Sequence, residues 1–112
     1  MMAHIAEASF CYRHFTTEDV EKQIARMPNL VKLDLSHNRM GRPPRLPQSL
    51  VILNISFNPK CQALSGLAMS NLHNLRVLIL TNNDLTSASG LLTLPRLEKL
   101  DVSNNKISKL NG

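Results

Sequence analysis

The residues best suited to chemistry in this sequence are few and scattered. Cys11 and His14 have the spacing of two metal ligands, and His4 lies nearby, so the three resemble half of a zinc site. Such a pair with one loose histidine is common by chance. Asp34 and His37 are expected on one exposed face of a strand, but no nucleophile and no cofactor motif accompanies them. We therefore predict no metal site, no cofactor and no enzymatic activity.

Three arginines and a lysine form a basic stretch. Arg39, Arg42 and Arg45 precede Lys60, and the whole sequence carries a net charge of +5 with a pI near 9.7. Nucleic acid is one possible ligand for such a cluster, but the cluster lacks interleaved aromatic residues and any known reader motif. A solvated loop or a dock for an acidic protein tail both remain open, and nucleic-acid binding is the less favoured reading.

The composition fits one small folded unit or a piece of one. The chain has 112 residues, of which 43% are apolar and only 4% aromatic, so its core must be built from many similar aliphatic side chains. Cys11 and Cys61 lie far apart without a disulfide framework, which favours two free thiols in a reducing compartment. No signal peptide and no apolar run of membrane-spanning length is recognisable. These observations predict a cytoplasmic protein without membrane contact.

Internal repetition is the strongest signal in the sequence. Four stretches superpose without gaps, and they begin 20, 25 and 22 residues apart. They read LVKLDLSHNRM, LVILNISFNPK, LRVLILTNNDL and LEKLDVSNNKI. Each follows the pattern L-x-x-L-x-[LIV]-x-x-N, and four matching copies make coincidence implausible.

The spacing within each copy has a physical explanation. A short strand alternates its side chains, so the second and third apolar residues of a copy enter the core while their neighbours face away. The chain then turns sharply, which leaves backbone donors and acceptors that no strand can reach, and a short amide can satisfy them. We predict strands near residues 31–35, 51–55, 76–80 and 98–102, followed by a buried ladder of asparagines that comprises Asn38, Asn58, Asn83 and Asn105.

The segment before the repeats carries the signals of a helix. Thr16 and Asp19 form a start signal, Val20 and Ile24 supply an apolar side, and Pro28 stops the helix. We predict a helix at about 17–27 within an N-terminal cap of residues 1–27. Phe10 and Tyr12, with Phe15 as a third candidate, are expected on one side of an irregular strand that helps this cap to seal the core.

The repeats are predicted to fill residues 28–112, with unequal connections between their strands. The proline-rich stretch GRPPRLPQS should be extended or form 3₁₀ turns, because proline cannot donate in a helix interior. The stretch CQALSGLAMSNLHN should form a short helix with an apolar side. Lys60 replaces an apolar residue, so its coil should be irregular. Nothing in the sequence caps the last coil, whose edge is expected to be covered by further repeats, a partner or self-association.

The pattern resembles the leucine-rich repeats, in particular the short intracellular class with about 22 residues per repeat. The sequence resembles members of that class such as a phosphatase regulatory subunit and an axonemal dynein light chain. The resemblance covers about residues 27–110. It implies an α/β solenoid with a short parallel sheet on the concave face and helical, 3₁₀ and extended segments on the convex side. It also implies a cytoplasmic location, with the cytoskeleton or cilium as narrower options. One interpretation of the sequence is that it is a fragment of a longer chain.

Within that family, the non-core residues of each strand line the concave face. In this chain the middle of that face is apolar and charged residues surround it, which is the anatomy of a protein interface. The alternative is that these apolar residues are strand formers tolerated at the surface. The predicted partner-binding residues are Val51, Ile52, Phe57, Val77 and Ile79 at the centre, with Lys32, Asp34, Arg76, Lys99 and Asp101 around them.

The expected function is therefore that of a non-enzymatic scaffold that binds a protein partner through the concave face. An alternative also follows from the sequence. The repeats could be the substrate-targeting half of a larger enzyme or signalling protein, whose catalytic domain would lie beyond Gly112.

Overall fold

The computed structural model describes residues 2–59, 69–86, 91 and 94–107. Its elements are five strands and one helix, in the order β1 (Glu7–Ser9), α1 (Thr17–Ile24), β2 (Lys32–Asp34), β3 (Ile52–Asn54), β4 (Val77–Ile79) and β5 (Lys99–Asp101). The five strands form one parallel sheet in sequence order. Each strand adds one coil, so coils 1 to 5 are named after β1 to β5. The predicted solenoid with a short parallel sheet is confirmed.

The strands are short and are in strict register. Leu33 pairs with Leu53, Leu53 with Leu78, and Leu78 with Leu100, so equivalent residues of the coils stack directly on one another. The four strands of the repeats each lie one residue inside the predicted bounds at both ends. Backbone hydrogen bonds still extend beyond them, since Val51 N donates to Val31 O at 2.8 Å.

The core lies on one side of the sheet and consists almost entirely of the repeated aliphatic residues. Leu33, Leu53 and Leu78 are essentially inaccessible to solvent, whereas the residues on either side of each are half-buried or exposed. The side chains of coil 5 are less covered, because Leu100 and Val102 are only half-buried where Leu78 and Leu80 are fully buried.

Helix α1 begins with the predicted capping signal. The Oγ1 of Thr16 accepts from Asp19 N at 3.3 Å, and the carboxylate of Asp19 accepts from Thr16 N at 3.0 Å, which completes a capping box. The N–H of Thr16 and then its hydroxyl, both donating to the carboxylate of Asp19, lower the pKa of Asp19. The helix buries Val20 and Ile24 against the core.

The helix ends at Ile24, before the predicted residue 27. Arg26 N donates to Gln23 O and Met27 N donates to Ile24 O, so the chain closes in three-residue turns instead of a further α-helical turn. Met27 is still buried at 8% exposure. The side chain of Met27 thus continues the buried side of the helix although the α-helical backbone has ended.

The first strand belongs to an additional coil that the four repeats do not include. Glu7 pairs with Lys32 and Ser9 with Asp34, so β1 continues the register of the repeats. Phe10 and Phe15 pack beside the core with ring centroids 6.1 Å apart. The prediction that Tyr12 shares the side of Phe10 is wrong, because Tyr12 has a positive φ of 59° and is 69% exposed.

The connections on the back of the solenoid are described only in part. Residues 43–47 form neither helix nor strand, and Leu46 of this extended stretch is buried. The predicted short helix from Cys61 onward and the irregularity expected at Lys60 lie outside the described residues. No helix in the described part of the chain is long and apolar enough to cross a membrane.

Candidate functional site

The asparagines at the predicted ladder positions hold the turns together. Asn38, Asn58 and Asn83 are at most 5% exposed, and Asn105 is half-buried. Each side chain reaches the preceding coil: Asn58 Nδ2, for example, donates to Leu35 O at 3.0 Å and to its own coil at Ile55 O at 3.1 Å. The side-chain oxygens accept in the same way, since Asn83 Oδ1 takes the N–H of Asn58 at 2.6 Å. The ladder fixes which side chains of each strand face away from the core.

The sheet face opposite the core, which we call the concave face, carries the predicted apolar centre. Ile52 of β3 pairs with Val77 of β4, and both are half-buried. Ile79 lies on the same face, again half-buried, and its neighbour across the sheet is Asn54. Val51 precedes β3 and is also half-buried. These four side chains therefore form a partly exposed apolar patch across two coils.

The charged residues around this patch fall into two groups. Lys32, Arg76 and Lys99 are exposed at the surface. Arg76 forms an ion pair with Glu98 of the next coil, which lowers the pKa of Glu98 and raises the pKa of Arg76. Both side chains are more than half exposed, so this pair orients two side chains beside the patch and contributes little to stability. Of these basic side chains, Lys32 and Lys99 flank the patch on its two sides.

Asp34 and Asp101, predicted in the same rim, have a local structural role. Asp34 Oδ1 accepts from Ser36 N at 2.9 Å. Asp101 Oδ1 accepts both the hydroxyl and the N–H of Ser103, which lower the pKa of this carboxyl in that order. Asn54 makes the same turn with Ser56. The recurring D/N-x-S sequence is a signal for this turn, and the carboxylates are therefore partly committed before any partner arrives.

Phe57 does not lie with the strand residues but in the turn that follows β3. Its ring stacks on His37 with centroids 4.2 Å apart, and His37 stacks on Tyr12 at 4.0 Å. The Tyr12 hydroxyl and His37 Nε2 are also within hydrogen-bond distance at 3.0 Å. We call Tyr12, His37 and Phe57 the aromatic row. The four-copy repeat pattern does not predict this row, because Tyr12 belongs to coil 1, which the pattern does not include.

The three arginines of the basic stretch have different surroundings. Arg42 forms ion pairs with Glu18 and Glu21 of helix α1, both at 3.2 Å. The Arg42 guanidinium, followed by the N–H of Arg45, lowers the pKa of Glu21. Arg39 instead lines an open cleft beside the aromatic row. Arg39 and Arg42 thus have different neighbours, and Lys60 lies outside the described residues.

The candidate zinc ligands are not supported by a ligand cluster. Among the described residues, no group of three or more His, Cys, Asp or Glu side chains could hold a metal ion. Cys11 carries a free thiol and accepts a 3.4 Å hydrogen bond from Ser9 Oγ. Cys61 lies outside the described residues.

Comparison with known proteins identifies the repeats in both halves of the chain. Residues 73–112 match a family model described as Leucine Rich repeats (2 copies), and residues 29–50 match one described as Leucine Rich Repeat. No solved structure is a significant match.

Several curated proteins are similar in sequence. A leucine-rich repeat-containing protein of Schizosaccharomyces pombe, described as uncharacterized, is 40% identical over 88 residues, which cover 73% of this chain and 14% of that protein. Epiphycan of Gallus gallus is 33% identical over 81% of this chain and 29% of its own length. Podocan of Mus musculus is 30% identical over 95% of this chain and 18% of its own length. The chain thus spans less than a third of each of these relatives.

Proposed function

Because the chain belongs to the leucine-rich repeat family, we propose that it is a non-enzymatic scaffold that holds a protein partner against its concave face. Proteins of this family generally act by protein–protein interaction, as the matches to epiphycan and podocan suggest for this chain. The single observation that carries the choice of face is the apolar patch on the sheet. An isolated surface isoleucine needs no explanation, but Ile52, Val77 and Ile79 are contiguous across two strands.

The chemistry of the patch favours a protein as its partner. An apolar centre buries surface on contact, and a charged rim selects the orientation of the partner. The exposed Lys32, Arg76 and Lys99 supply that rim here. Asp34 and Asp101 are weaker candidates than the sequence suggested, because their carboxylates already accept hydrogen bonds from the backbone within their own coils.

The cellular location of the protein and the chain that follows the repeats are also part of this proposal. We propose that the protein works in the cytoplasm, which agrees with the free thiol of Cys11 and is tested by fractionation of cells that express the tagged chain. The alternative of a targeting segment for a catalytic domain stays a prediction, and reading the gene beyond Gly112 tests it.

A site-specific cross-linking experiment tests the concave face. A photo-reactive amino acid at position 77 should form a covalent product with a partner protein, whereas the same group at the exposed Gln23 of helix α1 should not. The double variant Ile52→Glu and Ile79→Glu should lose the retained partner while keeping a wild-type circular dichroism spectrum. Gln23→Glu is the matched control that retains it. Capture through position 23 alone, or full retention by the double variant, would refute the proposal.

A further inference from the structure

The aromatic row occupies backbone positions that do not favour aromatic residues. The residue just before each ladder position has a positive φ in all five coils, at Tyr12, His37, Phe57, Asn82 and Asn104, with values of 57° to 59°. Asparagine and histidine adopt this left-handed conformation more readily than most residues, whereas bulky residues such as tyrosine and phenylalanine adopt it at a cost in free energy. Coils 4 and 5 use asparagine, so the turn itself does not require a ring.

The rings are also not needed to fill the core. Tyr12 is 69% and Phe57 41% exposed, and neither contributes to the buried cluster of aliphatic residues. Stacking between the rings offsets part of the backbone strain, but a large part of their surface still faces water. Coils 1 and 3 therefore display a costly side chain at the surface, Tyr12 and Phe57, that neither the turn nor the core requires.

The geometry of the row indicates what it can bind. Both faces of His37 are covered by its neighbours, and one face of Tyr12 and one of Phe57 are covered by His37. The stack leaves uncovered the ring edges and one outer face each of Tyr12 and Phe57. The edge of an aromatic ring carries partial positive charge, while its face carries partial negative charge. The row of edges therefore favours an anion.

The cleft beside the row has the same electrostatic preference. It is lined by Arg39, a strong hydrogen-bond donor for carboxylates, and by the imidazoles of His14 and His37. The remaining lining residues are Tyr12, Asn38 and Pro59, so none of the residues that line this cleft is a carboxylate. A negatively charged group would find donors here and no like charge.

We propose that the aromatic row and this cleft bind an acidic segment of a partner protein, with its carboxylates directed at Arg39 and the ring edges. A single-stranded nucleic acid is also anionic, but its bases bind by stacking on open ring faces, and most faces in the row are taken. This inference goes beyond the concave-face proposal, because the two surfaces share only Phe57.

The chain offers a direct optical readout at this site. Tyr12 is its only tyrosine and it has no tryptophan, so intrinsic emission reports on the aromatic row alone. The probe is an alternating Glu–Ala peptide of about ten residues, a length that extends beyond the row. The neutral Gln–Ala peptide and an oligothymidine of similar length are the comparison ligands. We expect the acidic peptide to change Tyr12 emission, to bind more weakly as salt is added, and to bind more tightly than either comparison ligand.

Three variants decide where the peptide binds. Phe57→Asn places in coil 3 the residue that coils 4 and 5 already carry, so it should melt no lower than the wild type and should bind about tenfold more weakly. Arg39→Glu should weaken binding at least as much. Arg26→Glu makes the same charge change at an exposed residue that does not line the cleft, and it should change the affinity less than about twofold.

The outcomes separate this inference from the concave-face proposal. Ile52→Glu should leave peptide binding unchanged, even though it disturbs the patch on the sheet. No binding of the acidic peptide, or an equal loss with Arg26→Glu, would overturn the inference and leave the concave face untouched. Tighter binding of oligothymidine that depends on Phe57 would overturn it in favour of a nucleic-acid surface.

Discussion

Replacing Asn58 by alanine is the sharpest test of how the coils hold together. Asn58 is fully buried, and its Oδ1 accepts from Met40 N at 3.3 Å. Among the described residues, Met40 N has no other acceptor. The alanine variant would therefore leave a buried N–H without a partner, in a place that water does not reach.

The carbonyl groups bound by Asn58 are less vulnerable than this N–H. Leu35 O also accepts from Asn38 Nδ2, and Ile55 O also accepts from Asn83 Nδ2. Ser56 O keeps the N–H of His37. One orphaned donor costs about 1–3 kcal/mol, and the two N–H groups of the Asn58 side-chain amide contribute about 1 kcal/mol each, so we expect a loss of about 3–5 kcal/mol in the free energy of unfolding. Domains of this size are stable by only about 5–15 kcal/mol.

Asn105→Ala is the matched control, because Asn105 makes equivalent bonds in coil 5. Its Oδ1 accepts from Asn83 N and Leu85 N, both at 2.9 Å, and its Nδ2 donates to Leu80 O at 2.8 Å. Asn105 is only half-buried, so water can replace part of what it provides, and we expect a loss of about 1–2 kcal/mol. Urea denaturation followed by circular dichroism measures both. Equal losses in the two variants would show that burial of the ladder does not determine its contribution.

Three further predictions concern the cap, the core and the helix. Thr16→Ala should lower the free energy of unfolding by about 1 kcal/mol because it removes the capping box of helix α1, and Thr16→Ser should restore it in the same urea titration. Leu78→Ala should lower the free energy of unfolding by about 2–5 kcal/mol, because Leu78 is fully buried. Val77→Ala, at the half-buried neighbour, should lower it by less than about 1 kcal/mol. Similar losses in the two variants would mean that the two faces of the sheet are misassigned. Arg42 and the N–H of Arg45 lower the pKa of Glu21 below its ordinary value of 4.5. The stabilisation that ionised Glu21 gives to the folded protein is therefore present above that value and is lost as the pH falls through the lowered folded-state pKa. The stability difference between the wild type and Glu21→Gln, measured by thermal melts at several pH values, should shrink over that range, and a difference that stays constant would contradict the pairing.

The sequence was most informative where a chemical requirement repeats. The apolar residues of the four copies occupy the core because successive side chains of a strand point to opposite faces of the sheet. The strands of the structure differ from the predicted bounds by one residue at each end. Coil 1 was not counted as a repeat, because Ile5, Ala8 and Phe10 replace the leucines and Arg13 occupies the ladder position. Only the pairing of β1 with β2 shows that these residues of coil 1 occupy the positions of the leucines and the ladder asparagine in the other coils.

Contacts between distant residues were harder to predict from one sequence. The pairing of Arg42 with Glu18 and Glu21 joins positions more than twenty residues apart, so no local pattern announces it. The aromatic row depends on the left-handed turn that follows each strand, which rotates Tyr12 and Phe57 away from the alternation of the strand. The D/N-x-S turns are readable in principle, because the motif occurs at the end of three strands, where the first residue accepts a hydrogen bond from the serine N–H.

The direction of the ladder bonds has a consequence for how the protein is made. Among the described residues, the acceptor for the N–H of Asn58 is the side chain of Asn83, and the acceptor for the N–H of Asn83 is that of Asn105, so these two turns each depend on a residue more than twenty positions downstream. A nascent chain leaving the ribosome cannot finish one turn until most of the following repeat has emerged. Each newly synthesised repeat should therefore supply the hydrogen bonds that complete the turn of the repeat before it, so that the chain folds one coil at a time.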